Sequence, residues 1–102
     1  LSRLYVLDSA AEADLREIAR YTRKTWGAAQ VGVYKAKLTL CMETLAKGEG
    51  LYKELPVLRA GLRVVSCQHH FIFMLSRQGL PAVVLAVFHE RMDIMARLKG
   101  RL

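Results

Sequence analysis

Ala82-Val83-Val84-Leu85-Ala86-Val87-Phe88-His89-Glu90-Arg91-Met92-Asp93 changes character at one point, after Phe88. The run Ala82–Phe88 is too short to span a membrane and rich in Val, Leu and Phe, so it predicts a buried strand. Its apolar side chains occupy consecutive positions, so both faces of that strand need cover and it belongs in the middle of a sheet. His89, Glu90 and Arg91 then bring a polar cluster to the edge of the sheet, where functional sites are often built. A plainer reading stands beside this one: Asp93 or Met92 opens a C-terminal helix, and the charges solvate the corner.

Working back from that stretch, two more strands come into view. In His70–Leu75, Phe71, Phe73 and Leu75 alternate with Ile72 and Met74, so this strand is also apolar on both faces and central. Leu62–Cys67 precedes it, with Gln68-His69 short enough for a tight hairpin. Ser76-Arg77-Gln78-Gly79 forms a polar turn, and Pro81 stands at a strand start, where a missing N–H is tolerated. A sheet with two apolar faces requires two covers. Helices supply one; the segment Ile94–Leu98 supplies part of the other, and a partner chain the rest.

The first half of the chain holds those helices. Leu4-Tyr5-Val6-Leu7 reads as a short strand, stopped by Asp8-Ser9. Ser9 and Glu12 stand in the S-x-x-E relation of a capping box at the head of a helix from about Ala10 to Thr25. Leu15, Ile18, Thr22 and Trp26 make its buried stripe. Its acids come early and its bases late, as the helix dipole prefers. Gly27 ends it. A second helix, Ala28 to Ala46, carries Val31, Tyr34, Leu38, Cys41 and Leu45 on one side, with Met42 beside them. So short a connection makes the two helices antiparallel neighbours. A rival reading of the second stripe is a coiled-coil seam. Leu38→Asp separates them: a core position abolishes folding, whereas a seam position leaves an intact monomer. Gly48 and Gly50 close the helix, and an irregular connection containing Pro56 leads to Gly61.

The chain is 102 residues long and 53% hydrophobic, enough for one domain, 1–102, with a packed core. No segment reads as a signal peptide or membrane span. Cys41 and Cys67 are too few for a disulfide framework and read as reduced, buried small residues in a cytoplasmic protein. Cys67-Gln68-His69-His70 brings a thiol and an imidazole two apart, Cys67 and His69 on one face of a strand, but the ligand spacing of a metal site is not met. Sixteen Lys and Arg against 9 Asp and Glu give a net charge of +7. That balance implies an acidic partner: nucleic acid, an acidic protein segment or an anionic surface.

Taken in order, Ala11–Tyr21, Trp26-Gly27, Gly61-Leu62-Arg63, His70-Phe71-Ile72-Phe73 and His89-Glu90-Arg91-Met92-Asp93 resemble the ParE branch of the RelE/ParE toxin superfamily across essentially the whole chain. Two departures are visible: Cys67-Gln68-His69 stands where the turn commonly carries Gly, and Met74 follows Phe73 where the family often has Tyr. The resemblance implies an α+β fold: an N-terminal strand, a two-helix antiparallel hairpin on a small, mostly antiparallel sheet, and a short C-terminal helix. It also implies the toxin of a type II toxin–antitoxin system, neutralised by an antitoxin whose flexible, often acidic segment wraps it. ParE-like members poison DNA gyrase, and RelE-like members cut mRNA on the ribosome.

RNA cleavage needs a base, an acid and cations on the phosphate. The strand His70–Leu75 offers no Lys or Arg, so the expected mode is inhibition by binding, with no catalytic residue and no metal or small cofactor. His89 and Glu90 keep the nuclease reading open as an acid–base pair. Expected target contacts are Arg63, His89, Glu90, Arg91, Arg97 and Lys99. Tyr21, Trp26 and Tyr34 are the expected antitoxin contacts, with a core role as the alternative. Arg63 has a second role open to it, pairing with Glu90 or Asp93, and His89 has a structural one. Glu90 is expected to pair with Arg91 or Arg63, and Asp93 to cap the terminal helix. Arg97, Lys99 and Arg101 read as a basic tail, either solvated or in contact with the target.

Overall fold

The computed structural model describes residues 3–102. Its elements run β1 (Tyr5–Leu7), α1 (Ser9–Trp26), α2 (Ala28–Ala46), β2 (Lys53–Glu54), β3 (Leu62–Cys67), β4 (His70–Leu75), β5 (Ala82–His89) and α3 (Ile94–Lys99). The strands form one five-stranded sheet in the order β1-β5-β4-β3-β2. β1 runs parallel to β5, and the other pairs are antiparallel. The expected α+β arrangement is present, with β4 and β5 central. β2 is an addition: two residues inside the connection read as irregular, paired with Val64 and Arg63 of β3.

The two apolar faces of the central strands are buried in two separate clusters. Ile72, Met74, Val84 and Val87 pack under the helices with Ala11, Leu38, Met42 and Leu45. Phe73, Leu85, Ala86 and Phe88 point the other way and meet Leu98 of α3. Strict alternation would not place Val84 and Val87 on one face. A register shift explains it: Phe73 pairs with Ala86 and Met74 with Val84, leaving Leu85 bulged out of the ladder. The stripe of α2 is therefore core, because Leu38, Met42 and Leu45 are buried against the sheet.

Three local expectations are corrected. The N-cap of α1 is Asp8, whose carboxylate accepts from the Ala11 N–H at 2.8 Å; the helix starts one residue early and Ser9 is already inside it. Trp26 does not continue the buried stripe: it is 71% exposed, and Ala11 is the buried residue one step above Leu15. Thr22 stays in the stripe, its hydroxyl donating to the Ile18 carbonyl at 2.7 Å. Gly27 links the helices as the sole connecting residue, at φ 95° and ψ 167°. That is an extended mirror-image conformation open to Gly, not the left-handed helical cap expected.

The cysteines are corrected as well. Cys41 on α2 and Cys67 at the end of β3 are joined in a disulfide, their Cα atoms 6.3 Å apart. Laying the α2 stripe on β3 brings them together, a proximity that two cysteines 26 positions apart in sequence do not advertise. Nor do Cys67 and His69 share a strand face, since His69 lies in the hairpin turn and Cys67 pairs across the ladder with His70. Gln68 takes a φ of 56° in that turn, a role more often given to Gly. Gly61, at φ 85°, is required where it stands: a Cβ there would lie 2.6 Å from the Ser76 carbonyl oxygen. No helix among the described residues is long and apolar enough to cross a membrane.

Candidate functional site

Register brings Cys67, His70 and His89 side by side at one end of β3, β4 and β5. His70 is buried there and meets the His89 ring edge-on at 5.1 Å between centroids. The Tyr34 hydroxyl of α2 lies 2.6 Å from His70 Nδ1, and the same oxygen accepts from the His69 backbone N–H at 3.3 Å. Burial raises the Tyr34 pKa, so the phenol keeps its proton and has one to donate to Nδ1. That leaves neutral His70 with its proton on Nε2. Burial, reinforced by the imidazoles of His89 and His69, lowers His70 to about 4, with Glu90 pulling the other way.

The polar stretch that follows β5 is tied down by its own backbone. His89 Nδ1 accepts from the Arg91 N–H at 3.1 Å, and the Met92 N–H donates to the His89 carbonyl. Glu90 turns towards the β3–β4 hairpin: its N–H donates to the His69 carbonyl, and its carboxylate lies 3.5 Å from His69 Nδ1. The expected pairing of Glu90 with Arg91 or Arg63 is thus replaced by one with His69. Asp93 caps α3 as expected, accepting from the Ala96 N–H. The corner leaves Arg91, Met92, Met95, Arg97 and Lys99 exposed. None of these three cations has an acidic partner among the described residues.

Arg63 lies elsewhere. It pairs with Met74 near the opposite end of β3, four residues from Cys67, a separation of roughly 13 Å along a strand. Its guanidinium donates to the Leu45 carbonyl at 3.1 Å and stacks over the Tyr52 ring at 5.0 Å. A cation on the last carbonyls of α2 is what the negative end of a helix dipole favours. The role open to Arg63 as a partner of Glu90 or Asp93 is corrected accordingly. A clamp made of Arg63, His89 and Glu90 is not assembled.

Of the expected antitoxin contacts, Tyr34 lines a groove of about 390 Å³ between α1, α2 and β1, with Leu15, Ile18, Thr22, Val31 and Leu38. Tyr21, 65% exposed, and Trp26 stand outside that groove, and neither is a core residue.

One ion pair has no signal in the sequence. Arg101, expected in a basic tail either solvated or in contact with the target, forks onto Asp14 of α1, with Nη2 to Oδ1 at 2.7 Å and Nη1 to Oδ2 at 2.9 Å. The partners are 87 positions apart, so no local pattern announces them.

A family model described as "ParE toxin of type II toxin-antitoxin system, parDE" matches residues 5–94. The chain belongs to the ParE toxin family. It is 54% identical over 98 residues to Toxin ParE of Escherichia coli, covering 96% of this chain and 95% of that protein. It is also similar to Toxin ParE1 of Caulobacter vibrioides, 32% identical over 94 residues, 92% of this chain and 96% of that one. Toxin ParE1 of Mycobacterium tuberculosis is 30% identical over the same lengths.

Proposed function

We propose that this ParE-family toxin arrests growth by binding and poisoning DNA gyrase in the cytoplasm, without catalysing a reaction of its own. The observation that carries this reading is the corner after β5. Arg91, Arg97 and Lys99 are exposed and unpaired among the described residues, with Met92 and Met95 between them. Unpaired cations around adaptable apolar side chains suit a protein surface that is acidic or that holds DNA. His89 and Glu90 serve this surface by holding its backbone, so their part in target contact is indirect. Arg63, also expected to touch the target, fastens α2 to β3 and lies apart from this corner.

A cognate antitoxin occupies the groove between α1 and α2, in this proposal, as a flexible, acidic segment that orders on binding. Tyr34 is its polar anchor; Tyr21 and Trp26 are reached where the segment leaves the groove across the outside of α1. The assembly is a toxin–antitoxin hetero-oligomer.

Gyrase supercoiling with the purified chain, run beside ribosome-dependent mRNA cleavage, is the test. Inhibited supercoiling and intact mRNA support the proposal. Cleaved mRNA that becomes intact in His89→Ala establishes the nuclease instead. Growth arrest with neither effect points to a third target.

A further inference from the structure

β1 is three residues long and pairs only with Ala82, Val83 and Val84. Past the Asp8 N–H, which donates to the Val84 carbonyl, the outer edge of β5 runs on without a neighbouring strand. The bulge at Leu85 falls at this spot. Two side chains complete the edge. Asp14 Oδ2 accepts from the Val87 N–H at 3.0 Å, and Arg101 Nη1 donates to the Leu85 carbonyl at 2.9 Å. The same two side chains grip each other, and the guanidinium lies over the Phe88 ring at 4.9 Å. Their side chains are only 15% and 22% exposed, so this is no loose surface pair.

The helix just before Arg101 has little else to hold it. α3 has six residues, too few to be stable in isolation. It docks through Leu98 and, partly, Ile94. Arg97 and Lys99 flank Leu98 and point away from the sheet, exposed. Where those cations stand therefore depends on what fixes the chain on either side of Leu98. Asp93 does so at the start; at the end Arg101 does so from within, while the exposed Arg59 guanidinium donates to the Leu102 carbonyl at 3.3 Å.

We infer that Asp14 and Arg101 are positioning residues for target binding: a latch between α1, the β5 bulge and the C-terminal segment that fixes α3 and aims Arg97 and Lys99. The inference rests on the gyrase reading, and it assigns the latch pair no contact with the target. A planar guanidinium meets the two carboxylate oxygens with two nitrogens in a fixed fork while one of them also serves the Leu85 carbonyl, a geometry that the single nitrogen of an ammonium does not reproduce.

Arg101→Lys tests the latch with the charge retained. Amide exchange across 94–101 is expected to quicken about tenfold or more while β4 and β5 stay protected, as in local opening of a weakly held segment. Half-inhibition of gyrase is expected to need about tenfold more toxin, with a shallower dependence on salt, because cations that no longer converge contribute less screened attraction. Asp14→Asn, which keeps an acceptor for the Val87 N–H, is expected to act alike and serves if Arg101→Lys folds poorly.

Unchanged exchange at α3 overturns the inference. So does quickened exchange with unchanged inhibition, or weaker inhibition with the wild-type salt slope, which marks a smaller active fraction and not a misaimed surface. A wild-type chain without effect on gyrase defeats the target reading itself; variants that inhibit as well as an active wild type defeat only the latch.

Discussion

His70 is the residue whose chemistry most constrains this fold. It is buried, its Nδ1 faces the Tyr34 hydroxyl, and its pKa is lowered to about 4. Between pH 4 and 6.5 the unfolded chain binds a proton at this imidazole that the folded chain does not. Stability therefore rises with pH across that window and is lost on acidification, by at most about 1.4 kcal/mol per pH unit from this group. In His70→Asn the amide oxygen replaces Nδ1 as acceptor and nothing titrates. Thermal melts of the variant at pH 7, 5.5 and 4.5 are expected to lose less midpoint on acidification than wild type. Equal losses would show that His70 does not carry the effect. Asp8 makes a second residue-scale prediction. Since its carboxylate serves the Ala11 N–H, Asp8→Ala is expected to cost about 1 kcal/mol in denaturant unfolding, and Ser9→Ala much less. The reverse order would restore Ser9 as the cap.

At the scale of elements, long periodic segments were legible and their edges and pairings less so. α2 runs from Ala28 to Ala46, and β3 and β4 span Leu62–Cys67 and His70–Leu75, as the apolar pattern indicates. β2 was not legible, because Lys53–Glu54 carries no apolar signal and becomes strand only by pairing with β3. The exposure of Trp26 was hidden for a related reason: helical spacing gives an angle around the axis, but not where the neighbouring layer stops. Arg63 was legible as a residue of note and not in its role, since its partner carbonyl lies 18 positions away on another element. The Cys41–Cys67 bridge is the largest such omission, and it fastens α2 to β3. Chain-entropy arguments give roughly 3.5 kcal/mol for closing a loop of this length. Reductant, or Cys41→Ser, is expected to lower the unfolding free energy by about that amount while leaving a folded protein, because Leu38, Met42 and Leu45 still bury the helix. Unfolding measured with and without reductant checks this; identical curves would mean that the bridge contributes nothing.

For the whole molecule, the two surfaces proposed to matter sit on different parts of the fold. The groove belongs to α1, α2 and β1, and the basic corner to the end of β5 and α3. They are joined through the core, through Tyr34, whose hydroxyl meets His69 and His70 beside Glu90 and His89, and through Asp14, which lies on α1 beside the groove residue Leu15 and holds Arg101. If the antitoxin seats in one and the target on the other, the functions separate by mutation. Ala19 lines the groove and is partly exposed, so Ala19→Trp fills that space without displacing a fully buried side chain. This variant is expected to arrest growth like wild type while binding antitoxin at least about tenfold more weakly, as expected when a central contact is blocked. Arg97→Glu with Lys99→Glu is expected to do the converse, because reversing two exposed charges costs little stability but opposes an acidic target. Growth of cells carrying each variant with and without the antitoxin gene, and co-purification of the pair, gives the full comparison. Loss of arrest and of antitoxin binding together in either folded variant would mean that one surface serves both partners, with the antitoxin neutralising by direct competition for the target site.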